Sequence, residues 1–224
     1  MRPNLKPKTI RWWLLLLASL GLALQAGALC GCGAQSQGPP ESAGVSQVID
    51  GDTLVLKDGA RVRLEGIDAP EMEKEGRPAE FLAHKSKAVL NDLTRGQELR
   101  LEYDVLRYDH YSRLLAYLFR GDGAFINAEM VRLGLAHVYP HPPNLRYQET
   151  LLAAQREAME ARRGVWQKAL VQDEPYYLAN RSTLRFHRPE CPLASQMAPG
   201  NRLHLERLQD AFLQGFSPCR SCKP

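Results

Sequence analysis

At 224 residues the chain has room for one ordinary domain and a small additional one. Apolar residues make up 44% and charged residues 24%, which excludes a disordered chain. The formal charge of +4 is accounted for by Arg2, Lys6, Lys8 and Arg11, in a leading segment without acids; the remainder is neutral, which excludes a strong overall field as the means of attracting nucleic acid.

Behind the four basic residues comes an uncharged run from Trp12 to about Leu29, then a Ser/Gly/Pro/Gln-rich stretch from Gly33 to Ser46. That order is the pattern of an export signal. A retained membrane helix is the alternative, the run being borderline for the roughly 20 residues a span needs. Ala26-Gly27-Ala28 fits small-x-small cleavage, which would release the protein; Leu29-Cys30-Gly31-Cys32 resembles a bacterial lipobox, in which Cys32 becomes a lipidated first residue anchored in the membrane of the cell envelope. The expected organisation is a signal of lipoprotein type over 1–32, a linker over 33–44, an α+β domain over 45–166, a linker over 167–178 and a small module over 179–224.

In the α+β domain, Val48-Ile49 and Leu54-Val55-Leu56 flank Asp50-Gly51-Asp52-Thr53, and Lys57-Asp58-Gly59 is a hairpin signal. Val62, Leu64 and Ile67 carry the next strand. Leu99, Leu101, Tyr103 and Val105 alternate with polar residues, the period of a half-buried strand, and Leu114 to Phe119 supplies another. Ala79 to Leu93, Ile126 to Leu133 and Gln148 to Arg163 have helical spacing or composition, the first two ending at Gly96 and Gly134. Several short strands and three helices predict a small closed barrel with helical caps.

Two segments concentrate acids and arginines: Val48-Ile49-Asp50-Gly51-Asp52-Thr53 and Arg63-Leu64-Glu65-Gly66-Ile67-Asp68-Ala69-Pro70-Glu71. Carboxylates suit a hard divalent cation, and guanidinium forks suit phosphate oxygens. Taken singly, Asp-Gly-Asp reads as a turn, Asp-x-Pro-Glu as a helix start and Arg63 as a solvated strand residue. Their conjunction, with Tyr111-Ser112-Arg113-Leu114 and the helix text Asn127 to Ala136, resembles the staphylococcal nuclease family over roughly residues 45–166. That resemblance implies a five-stranded OB-fold barrel with three helices and calcium-assisted hydrolysis of DNA, or of RNA, to 5′-hydroxyl and 3′-phosphate ends. It implies Asp52, Asp68 and the carbonyl of Ala69 as calcium ligands, Glu71 as general base, Arg63 and Arg113 on the scissile phosphate, and Tyr111 at the nucleotide. Ala69 stands where the staphylococcal member has threonine. Tyr139, His141 and Asn144 either line the nucleotide groove or belong to an ordinary surface loop; Tyr139 is carried as a second substrate contact.

Near the C-terminus, His187 and Cys191 are followed by the C-x-x-C pair Cys219 and Cys222. Two such pairs are the layout of a tetrahedral zinc site. The segment resembles the metal-binding domain of the Ada DNA-repair protein, with histidine replacing its first cysteine. A Cys219–Cys222 disulfide is the alternative for an exported chain. The whole is expected to be a monomeric exported nuclease carrying structural zinc; the alternative is a noncatalytic envelope protein that binds or takes up nucleic acid.

Overall fold

The computed structural model describes residues 38–224. The export signal, its two processing sites and Cys32 lie outside the described residues. No helix among the described residues is long and apolar enough to cross a membrane.

Strand β1 (Ser42–Val48) opens the fold, followed by β2 (Thr53–Leu56), β3 (Arg61–Leu64) and the short β4 (Ile67–Asp68). Helix α1 (Ala83–Thr94) leads into β5 (Glu98–Glu102) and β6 (Leu114–Phe119), then α2 (Ile126–Arg132), β7 (His137–Val138) and α3 (Gln148–Glu160). The barrel closes in the order β1-β2-β3-β6-β5, antiparallel except for the parallel pair β3–β6. All six residues of β6 are buried, which explains its unbroken apolar run, whereas β5 alternates exposed and buried positions. The interior is filled by Leu54, Leu56, Val62, Leu64, Leu90, Leu99 and Leu118, capped by Ile126, Met130 and Leu151 from the helices.

Three boundaries within the barrel differ from expectation, each for a visible reason. β1 begins at Ser42, inside the stretch expected to be linker, because Ser42, Ala43 and Gly44 pair with Arg100, Leu99 and Glu98 to close the barrel. α1 begins at Ala83 and not near Ala79, since Leu82 takes a left-handed conformation at φ 69° and Glu80 is bonded back to the carbonyl of Glu71. β5 stops at Glu102, and Val105 is 68% exposed; Asp104 turns the chain outward, accepting the N–H groups of Val105 and Arg146.

The C-terminal region carries β8 (Tyr177–Asn180), β9 (Arg185–His187), α4 (Pro192–Ser195), β10 (Arg202–Leu205), α5 (Leu208–Leu213) and β11 (Ser217–Pro218). Its sheet has the order β10-β8-β9-β11, with β9 and β11 parallel. Its apolar core is shared with the barrel's last helix: Ala158 and Met159 of α3, with Trp166, pack with Tyr177, Phe186, Phe212 and Phe216. Gln155 of α3 donates to the carbonyl of Phe212, and its Oε1 accepts the N–H of Val138. Residues 167–178, expected as linker, include the buried Tyr177, and Asp173 and Glu174 hold Arg188 at 2.6 and 2.7 Å. At the junction, Gly134 and Gly164 approach so closely that a Cβ on Gly164 would lie 1.9 Å from the Gly134 carbonyl oxygen.

Candidate active site and metal centre

The Asp50-Gly51-Asp52 turn packs against α1: a Cβ on Gly51 would lie 2.0 Å from Ser86 Oγ and 2.6 Å from the Ala69 Cβ. Only glycine permits this approach, and it brings Asp52 beside Ala69, whose N–H donates to Asp52 Oδ2 at 2.7 Å. Arg63, at the centre of β3, points its guanidinium between two acids. Its Nη1 lies 2.5 Å from Asp52 Oδ2, and its Nη2 donates to Asp68 Oδ1 at 2.6 Å. The first contact is close but poorly aligned, and Nη1 makes no hydrogen bond among the described residues.

Burial pushes the Asp52 carboxyl up to about 7, against the pull of Arg63, and the nearby acids Asp50 and Asp68 reinforce the rise. Burial opposes ionisation at Asp68 too, but Arg63, His137 and Arg220 outweigh it and hold that carboxyl below its ordinary value. A buried and a partly buried carboxylate on either side of one guanidinium thus titrate apart. Their oxygens and the adjoining backbone of Ala69 are the donor type a hard divalent cation takes. Glu71 is not drawn into this cluster. It is exposed on the following loop, where its N–H donates to Glu80 Oε2, and its carboxylate has no partner among the described residues.

Arg113 enters from the β6 side. Its Nε donates to Asp109 Oδ2 at 2.7 Å, and its Nη1 reaches Thr53 Oγ1 at 3.4 Å. Burial disfavours charge on Asp109, yet the main-chain and guanidinium donors of Arg113 and the N–H of Tyr111 hold its carboxyl below the ordinary value. Asp109 therefore fixes Arg113 in place. Tyr111 is 69% exposed, with the Arg113 guanidinium 5.5 Å from its ring centre. Tyr139 lies elsewhere on the rim, with Arg185 3.6 Å and Arg220 4.7 Å from its ring centre. Asn144, one of the loop candidates, is buried and structural: its amide donates to Glu65 Oε2 and to the Leu106 carbonyl. His141, beside it, is bridged to Asn144 through the backbone.

At the other centre, strand register assembles the ligands. β11 runs parallel to β9, pairing Ser217 with Arg185 and Pro218 with Phe186, so Cys219 falls beside His187. His187, Cys191, Cys219 and Cys222 bring their ligand atoms within 4.8 Å of one another, and Cys191 Sγ lies 3.4 Å from His187 Nδ1. Tetrahedral zinc with bonds of about 2.0 to 2.3 Å requires ligand separations of about 3.5 to 3.8 Å, so the set fits that ion. The three cysteines are free. Main-chain N–H groups of Ser221 and Arg188 donate to the sulfurs of Cys219 and Cys222. Burial lowers the His187 pKa, favouring the neutral imidazole that a metal needs.

Sequence comparison matches both regions of the chain. A family model described as "Staphylococcal nuclease homologue" matches residues 61–168, and one described as "Metal binding domain of Ada" matches residues 164–224. A thermonuclease of Staphylococcus intermedius is 38% identical over 131 residues, covering 57% of this chain and 77% of that protein. A thermonuclease of Staphylococcus hyicus is 34% identical over 142 residues, covering 58% and 83%. The chain belongs to the staphylococcal nuclease family. It is a nuclease, a hydrolase, whose barrel and Cys/His centre match the resemblances carried by the motifs. Endonuclease YncB of Bacillus subtilis is also similar, 31% identical over 130 residues, covering 56% of this chain and 61% of that protein.

Arg185, Arg220, His137 and Asp109 are the residues around this staphylococcal-nuclease site that motif reading missed. Asp109 had a signal, an acid four residues before an arginine. Arg220 had none, being the unremarked residue inside a metal knuckle.

Proposed function

We propose that the protein is an exported, calcium-dependent nuclease that cleaves DNA, with RNA as a second substrate, leaving 5′-hydroxyl and 3′-phosphate ends. The observation that carries this is the Arg63 fork set between the buried carboxylate of Asp52 and the partly buried one of Asp68, with Arg113 held alongside by Asp109. Asp52, Asp68 and the Ala69 carbonyl would hold the cation. Bound there, calcium supplies Lewis-acid draw on a phosphate oxygen. Glu71, exposed and without a side-chain partner among the described residues, accepts a proton from the attacking water. The water oxygen bonds to phosphorus, the bond to the 5′ oxygen breaks, and that oxygen leaves with a proton taken from solvent. Arg63 and Arg113 hold the phosphate oxygens as negative charge builds on them. Tyr111 offers a ring face to a base, and Tyr139, with Arg185 and Arg220 over its ring, is the second substrate contact through that cationic cluster.

The reading includes zinc at the Cys/His centre as a structural ion, and lipidation of Cys32 as the route to the envelope. Purified mature protein should degrade plasmid DNA in calcium and lose that activity in EDTA, with end-group analysis giving the expected termini. Undiminished degradation in EDTA overturns the calcium assignment. Mass spectrometry of the mature N-terminus should show an acylated Cys32; a free Leu29 terminus overturns the anchor.

A further inference from the structure

We infer that the C-terminal module completes the nuclease site: Arg220 is a third guanidinium for the phosphate chain of the substrate. This rests on the nuclease assignment above. Arg220 lies between Cys219 and Cys222, so the ligand set that fixes the knuckle also fixes where this side chain starts. Its Nη2 donates to Asp68 Oδ1 at 2.7 Å, across 152 residues of sequence. The same carboxylate oxygen accepts Arg63 Nη2 at 2.6 Å. Two guanidinium groups from different parts of the chain thus converge on one proposed cation ligand.

A plain docking role does not account for this arrangement. The module is already seated by the core of Trp166, Phe186 and Phe212 and by the Gln155–Phe212 hydrogen bond. An ion pair whose arginine side chain is 60% exposed adds little to such an interface. Only one nitrogen of Arg220 is engaged among the described residues, leaving most of its donors for a ligand. Arg220 and Arg185 both lie over Tyr139, a cation–aromatic arrangement that suits a nucleic-acid backbone with a base close by. Asp68 also forms part of the wall of a cavity of about 340 Å³ shared by barrel and module, lined by His137, Trp166 and Phe212. Because the chain beyond the leading segment is neutral overall, such local positive charge decides how strongly a strand is held.

The test uses the full mature chain and a fluorescein-labelled, phosphorothioate single-stranded oligodeoxynucleotide in calcium. Arg220→Ala should weaken binding about tenfold and flatten the slope of log K against log salt by about 0.7, the loss of one phosphate contact. Arg220→Lys should keep most of the slope. In cleavage assays Arg220→Ala should raise KM more than it lowers kcat, and zinc content and melting temperature should stay at the wild-type level. Unchanged affinity and salt slope in Arg220→Ala overturn the proposal, as does a loss explained by lost zinc or lost fold that Arg220→Lys shares. Absence of DNA cleavage by the wild type overturns the nuclease assignment instead, while the anisotropy measurement still reports on Arg220.

Discussion

The barrel and the C-terminal module solve the same problem, holding charged ligands in place, by different means. The barrel encloses a core drawn from five strands and three helices, and on that support it can keep Asp52 and Arg63 buried. The module's short strands and helices supply most of a small core, which Trp166 and the last turn of α3 complete. The remainder of its stability falls to the Cys/His centre. Hard oxygen ligands sit where packing is strong, and soft sulfur ligands sit where they replace packing. On the proposed reading, one region would bind its ion to do chemistry and the other to hold its fold together.

The sharpest way to break that comparison is to remove the module's metal. Cys219→Ser should abolish stoichiometric zinc and forfeit binding energy on the order of 10 kcal/mol. Limited proteolysis should then cut after about residue 170 while the barrel survives; a module that stays protected without metal would show that packing alone holds it. Phe212→Ala tests the shared core, since Phe212 contacts Trp166 and Phe186 edge to face. It should cost about 3 to 5 kcal/mol in denaturant unfolding.

Within the barrel, Arg63→Ala and Glu71→Ala should each lower kcat by about 10² to 10³, read from initial rates of DNA hydrolysis in calcium. Rates within tenfold of wild type would remove these residues from the mechanism. Asp109→Ala, which touches no substrate, should cost up to about 10² in kcat/KM by releasing Arg113, with the melting temperature little changed. The smallest effect is on pH. The Asp52 carboxyl, pushed up to about 7 by burial, must ionise to hold a cation. Calcium affinity should therefore be full above pH 7 and fall by about tenfold per unit below it, measurable by titration calorimetry. In calcium-free protein the same upward shift acts oppositely on stability: its contribution is present below the ordinary aspartate value of 3.8 and is lost as pH rises through about 7.

Much of the barrel was legible from sequence because its signals are local. The Asp-Gly hairpin, the alternation of β5 and the apolar run of β6 each follow from side chains a few residues apart. Boundaries were less legible where a distant partner decides them. Ser42 joins β1 because β5 lies beside it, and the helix start moves from Ala79 to Ala83 because Leu82 adopts a left-handed backbone.

The site divides in the same way. Sequence by itself determined the chemistry available: two acids and an arginine within a short stretch, an arginine after an aromatic, and four soft ligands in two close pairs. How that chemistry meets depends on contacts between distant parts of the chain. Gly51 against Ser86 sets the depth of Asp52, β9 beside β11 sets Cys219 next to His187, and the shared core around Trp166 brings Arg220 to Asp68. The physical reason is range. Ligand identity resides in single side chains, whereas a guanidinium and a carboxylate 152 residues apart meet only after apolar burial has fixed the two regions against each other.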